Sequence, residues 1–216
     1  MSMIAKSEGN SNIKRLEDGV YPAISSMLID LGIQKSERYG KSSRKFIVVW
    51  NIKDEFIEVN GEQFPRVMSK EYTMSLGEKS NLRKDLQAWR GKQFTLEELE
   101  GFNLLNILNI GCQLQILNTE NNGKTYTNIV SIMALPKGIE ISQLDKTVVF
   151  DTYDEKTWNN YTEIPKWMQE KIKQCENLTE NGLDLFIKEY EENMPIEEQR
   201  ESQTNNIEVP NDDLPF

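Results

Sequence analysis

Six cations fall within residues 35–53: Lys35, Arg38, Lys41, Arg44, Lys45 and Lys53. Tyr39, Phe46 and Trp50 lie among them, and Glu37 is the one acid. Cations attract phosphates and flat rings stack on bases, so this mixture suits holding an unpaired nucleic-acid strand. A second cluster runs through residues 79–92, with Lys79, Arg83, Lys84, Arg90 and Lys92 against Asp85. The plain alternative is two solvated charged faces.

Other chemistries are poorly served. The 216 residues include no His, which removes Ser-His-Asp, Cys-His and His-zinc sites. Cys112 and Cys175 cannot form a four-cysteine site and read as reduced thiols. There is no glycine-rich phosphate loop and no paired-carboxylate cluster framed by strands. Glu97-Glu98 and Glu191-Glu192 read as helix-surface charge. The expectation is a binding protein, not an enzyme, with no cofactor and no metal. No apolar window approaches a membrane span, and Met1–Glu8 lacks a signal core, so a cytoplasmic location is expected, with no membrane partner.

The charge is divided unevenly. The net of −10 arises from 25 Lys+Arg against 35 Asp+Glu. Residues 1–150 carry 19 basic and 18 acidic side chains; residues 151–216 carry 6 and 17. The first two thirds are therefore nearly neutral with local basic patches, and the acid belongs to the last third.

The elements that must position these groups are mostly strands. Residues 19–34 read as a long first strand. Residues 45–52, rich in β-branched and aromatic side chains, read as a second. A short strand at 56–59, the turn Asn60-Gly61 and a third strand over 64–76 follow. In the second strand Phe46 and Trp50 share one face, while Lys45, Ile47 and Val49 take the other. Only one of these faces is expected to be core, and two readings of Trp50 stand: core side chain or stacking platform. Tyr72 and Tyr126 each lie in a strand beside polar residues. Ser80 caps a helix over 81–90 that Gly91 stops, with Leu82, Leu86 and Trp89 on one face. Thr95 and Glu98 form a capping box for a second helix whose apolar members are Leu96, Leu99 and Phe102. Residues 111–118 and 124–135 make a final hairpin.

The fold class is thus mainly β. Five strands with a helical insertion between strands 3 and 4 is the plan of a five-stranded OB-fold barrel. The expected divisions are a flexible N-terminus (1–15), the OB domain (16–150), a helical C-terminal extension (151–194) and a disordered acidic tail (195–216). Residues 148–150 read as an edge strand, 158–167 as a mixed loop, and 166–177 and 182–193 as short helices.

The chain closes on Asn211-Asp212-Asp213-Leu214-Pro215-Phe216. Phe216 can fill an apolar pocket, its carboxylate can meet a cation, Pro215 stiffens the peptide, and Asp212 and Asp213 attract a basic partner. This tip, Leu214 included, resembles the C-terminus of bacterial single-stranded DNA-binding proteins, with Asn211 where that family carries a first Asp. A wider resemblance covers roughly residues 17–140. The run from Glu71-Tyr72-Thr73 to Gly91-Lys92-Gln93-Phe94-Thr95, with Gly111-Cys112 and 126–132, looks like a phage-encoded family that coats single-stranded DNA. The resemblance implies a non-sequence-specific role in phage DNA replication or recombination. Its partners would be single-stranded DNA and, through the tip, replication or recombination proteins, with homo-oligomerisation left open. The DNA contacts expected are Lys35, Arg38, Tyr39, Lys41, Arg44, Lys45, Phe46, Trp50, Tyr72, Arg83, Lys84, Arg90, Lys92 and Tyr126. The alternative is an acidic adaptor or DNA mimic acting on a host replication protein. Removing Phe216 is expected to abolish capture of replication partners in pull-down while oligonucleotide binding stays intact. Capture that survives the deletion would make the tip incidental.

Overall fold

The computed structural model describes residues 15–36, 40–59 and 61–193. Residues 1–14 of the expected flexible N-terminus (1–15), Arg38, Tyr39 and the tail with its docking tip lie outside the described residues.

Five long strands carry the fold: β1 (Gly19–Lys35), β2 (Ser42–Val59), β3 (Glu62–Thr73), β4 (Gly111–Asn121) and β5 (Lys124–Met133). They form one antiparallel path in the order β3-β2-β1-β4-β5. β1 serves two neighbours along its length. Gly19–Ile24 pair with β4, and Ala23–Lys35 pair with β2. Register shifts at Ser25/Met27 and Asp30/Gly32 mark where β1 bends, because an extra residue kinks and twists a strand. The sheet curls until its outer strands meet, and Lys70 of β3 donates to the Ile129 carbonyl of β5 at 3.3 Å. This curled half-barrel, with helices between the third and fourth strands, is an OB-like fold.

The connecting helices form where capping residues permit. The Ser80 side chain accepts from the Arg83 N–H to start α1 (Asn81–Arg90), and Gly91 ends it in the left-handed region at φ 65°. Thr95 and Glu98 make the reciprocal capping box of α2 (Leu96–Glu100). Leu82, Leu86 and Trp89 of α1 are buried against the barrel, where α1 packs on β5 and β3. Asp85 of the same helix accepts from the Tyr72 hydroxyl at 2.8 Å and pairs with Lys70 at 3.0 Å. A polar clasp thus sits under α1 beside the β3–β5 seam. Leu99 and Phe102 pack on the core, whereas Leu96 is exposed, contrary to its expected role.

The barrel interior holds Phe46, Val48, Trp50 and Ile52 of β2, with Leu114 and Ile116 of β4. Phe46, Trp50 and Tyr72 are 2%, 0% and 4% exposed. Phe46 stacks on Tyr72 at 5.7 Å, and Trp50 meets Trp89 at 5.8 Å. A base can stack only on an open ring face, so these three are core side chains and not the expected DNA contacts.

The opposite face of β1 and β2 is also buried, which overturns the expectation of a single core face. Ile29, Leu31, Ile47 and Val49 lie beneath the segment that follows the barrel. That segment comprises β6 (Val148–Phe150), a 3-10 helix over Glu155–Glu163, α3 (Lys166–Lys173) and α4 (Leu183–Asn193). β6 pairs in parallel with Met27–Ile29 of β1. Trp158, Tyr161, Ile172 and Ile187 complete this second cluster. The stretch expected as a mixed loop from Trp158 is largely the 3-10 helix, because its rings have an apolar face to cover. Gly32 permits the close approach: at φ +70°, an added Cβ would lie 2.5–2.9 Å from Asn177 and Cys175 atoms.

One buried carboxylate joins the two halves. Asp30 of β1, 5% exposed, accepts from Arg44 Nε at 3.2 Å, Arg44 Nη2 at 3.0 Å and the Thr152 amide at 3.1 Å. The Thr152 hydroxyl also donates to it. Arg44 reaches Asp151 at 2.6 Å, and its guanidinium lies 4.6 Å from the centre of the Tyr153 ring. Arg44 therefore clamps the extension, and its expected role in phosphate contact is corrected. Asp30→Ala leaves the half-buried Arg44 with Asp151 alone and takes the acceptor from the buried Thr152 amide and hydroxyl, and is expected to cost about 1–3 kcal/mol, read as a lower denaturant midpoint. A loss under 1 kcal/mol, on the order of an exposed pair, would refute the clamp.

Candidate functional site

The outer face of β2 and β3 carries the odd-numbered side chains, since their even-numbered neighbours fill the barrel. Register pairs Lys45 with Thr73, Ile47 with Glu71 and Val49 with Ser69. The extension covers β1 and part of β2 and stops short of β3. Between α3 and β3 this leaves a groove of about 930 Å³. The end of β1 and the turn leading into α1 complete its walls.

Four lysines line the groove: Lys35 at the end of β1, Lys45 on β2, Lys79 ahead of α1, and Lys171 on α3. Two carboxylates, Glu71 and Glu78, face them. The N-terminal end of α1 opens into the same space through Ser80 and Asn81, adding the positive end of a helix dipole. Lys35 and Lys79 are exposed. Lys45 and Lys171 share Glu71, with Nζ–Oε distances of 2.8 and 2.6 Å. Burial acts to raise the Glu71 pKa, but the hydrogen bonds from Lys171 and Lys45, and then their charges, hold it below its ordinary value.

α3 builds the far wall by a helical pattern. Trp167, Lys171 and Gln174 recur at i, i+4 and i+7 along the helix and its C-cap, and all three line the groove. Met168 and Ile172 point into the second cluster. Gln34 ties the helix down by donating to the Lys171 carbonyl at 2.9 Å. The Lys171 ammonium stands 5.8 Å from the centre of the Trp167 ring.

Of the residues expected to contact DNA, Lys35 and Lys45 meet in this groove. Tyr72 borders it with its ring buried. Lys41 is exposed nearby in the β1–β2 turn. Arg83 is half-buried and reaches the Leu76 carbonyl at 3.4 Å, and Lys84 is exposed; neither lines the groove. Arg90 is held between the Phe94 and Phe102 rings at 4.5 and 4.9 Å and is paired with Glu98. That packing makes it structural and corrects its assignment to phosphate. Lys92, beside Glu98 at 3.5 Å, faces a separate cleft with Arg90. Tyr126 pairs with Thr119 on the β4–β5 hairpin and does not line the groove. The sequence reading missed Trp167, Lys171 and Gln174, although their helical spacing beside a tryptophan was visible.

Burial pushes the Cys112 thiol pKa well up and that of Cys175 up to about 11, so both stay protonated near neutrality. Among the described residues no three His, Cys, Asp or Glu side chains are grouped to hold a metal ion. Among those residues, too, no helix is long and apolar enough to cross a membrane. Compared with models of known protein families and with curated proteins, the chain matches none.

The Glu71 bridge gives a pH dependence of defined sign. Its folded pKa lies below the ordinary 4.5, so its contribution is present above that value and is lost as pH falls through the folded one. The denaturation midpoint is expected to fall on acidification below about pH 4.5, with a shallower fall in Glu71→Gln. Identical pH profiles for the two proteins would show that Glu71 carries none of the dependence.

Proposed function

We propose that the protein binds single-stranded DNA without sequence preference in this groove, shielding it during phage DNA replication or recombination. In this reading the acidic C-terminal tip recruits replication or recombination proteins. The observation that carries the proposal is the convergence of four lysines from distant parts of the chain on the β2–β3 face. OB-folds take oligonucleotides on that face and on the loops beside it. The resemblance of residues 17–140 and of the tip to single-strand-binding families points the same way.

Affinity in such a site comes from phosphate neutralisation, with stacking added where a ring is open. Glu71 moderates the cations, and a phosphate entering the groove competes with it for Lys45 and Lys171. The net excess of two positive charges among the lining side chains suits a strand that must be bound and then released to a polymerase or recombinase.

The second reading, an acidic adaptor or DNA mimic, draws on the charge of residues 151–193, which hold 11 acidic and 5 basic side chains. A fluorescent poly-dT oligomer separates the two. The single-strand reading expects sub-micromolar binding at low salt without metal, with log affinity falling against log salt by about 0.7 per phosphate neutralised. The double variant Lys35→Glu/Lys79→Glu is expected to weaken binding and to make that slope shallower by about 1.4. Failure of full-length and tail-deleted protein alike to bind at low salt would favour the adaptor. Metal-dependent shortening of the oligomer would point to a nuclease instead.

A further inference from the structure

We propose that Trp167 is a base-stacking platform, so that the C-terminal extension forms one wall of the single-strand site as well as covering the barrel. The inference rests on the single-strand reading and adds to it the side chain that receives a base.

The four tryptophans occupy different environments. Trp50, Trp89 and Trp158 are 0%, 5% and 6% exposed, each inside one of the two cores. Trp167 alone is only partly buried: it packs against the second cluster and also lines the groove. Here it stands in a groove whose other walls carry Lys35, Lys45 and Lys79. Lys171, one turn along the helix, stands at 5.8 Å from its ring and bonds Glu71 on the opposite wall. A cation for the phosphate and a flat ring for the base are thus set side by side on one rigid face.

Among the described residues, the other aromatics the sequence pointed to do not offer this combination. Phe46, Trp50 and Tyr72 are enclosed, and Tyr126 is outside the groove. Phe56 and Phe64, 56% and 44% exposed, lie on the outer part of the β2–β3 hairpin and are not lining residues of the groove. Because any base offers a π-face, stacking on Trp167 is sequence-tolerant.

The test uses the full chain and its intrinsic fluorescence. Oligo-dT is expected to quench the tryptophan emission, and Trp167→Phe is expected to remove most of that quench while retaining affinity. Trp167→Leu keeps an apolar side chain on the second cluster but offers no ring, and is expected to weaken oligo-dT binding on the order of 10-fold. Its salt slope is expected to stay unchanged, since no charge is lost. An abasic oligomer of equal length has phosphates without bases, and wild type and Trp167→Leu are expected to bind it equally. Wild-type affinity of Trp167→Leu for oligo-dT, or equal losses on both oligomers, would overturn the platform and leave the single-strand reading standing. Absence of binding by the wild-type protein would overturn both.

Discussion

The structure depends on burying both faces of β1 and β2, and a charged group on β1 makes that burial register-specific. Asp30 cannot be left unpaired at 5% exposure, because a lone buried carboxylate is far costlier than any single apolar contact can offset. Arg44 and Thr152 satisfy it from two directions. The first direction fixes β2 against β1; the second fixes the chain after β6. Burial alone would lower the Arg44 pKa, yet the bonds and charge of Asp30, with Asp151, raise it above its ordinary value. The guanidinium is therefore committed to the fold. An apolar face alone would let the extension slide over the sheet, since apolar contact is non-directional; the clamp selects one position.

That position shapes the groove. With the extension anchored at Thr152 and again where the Asn177 side chain accepts from the Ile33 amide at 2.7 Å, α3 is held beside β3. The space between them is wide enough to be a groove, and Glu71 spans it to hold Lys45 and Lys171. The extension contributes a lysine to a basic groove even though its own composition is acidic. None of its carboxylates lines the groove, and some pair elsewhere: Lys173, for example, bonds Glu191 at 2.9 Å. Bulk charge and site charge are separate quantities, because a phosphate feels mainly the groups within about a Debye length of it.

Much of the barrel was legible in the chain. β-branched runs gave away the strands, and the caps Ser80, Gly91 and Thr95 bounded the helices, because caps act locally through their own backbone. The face shared by Leu82, Leu86 and Trp89 was read correctly for the same reason: helical periodicity is local. Where sequence reading failed, the cause was a distant partner. A strand such as β2, with the unbroken apolar run Phe46-Ile47-Val48-Val49-Trp50, has two apolar faces, and the run alone cannot say that one is lined by the barrel and the other by residues a hundred positions later. Arg44 and Arg90 looked like phosphate contacts because a cation's partner, here Asp30 or Glu98, is invisible until the chain is folded.

From composition and order of residues alone follow a mainly β chain with a helical connection, a near-neutral first two thirds, and no histidine for catalysis. These are properties of local backbone preference and side-chain inventory. Folding chose which cations meet and which rings close. Lys35 and Lys171 stand 136 positions apart and face one groove, while Trp50, set amid the richest cluster of cations, is wholly enclosed. The physical reason is that burial and electrostatics act through space, and the sheet's curl and the Asp30 clamp set that space.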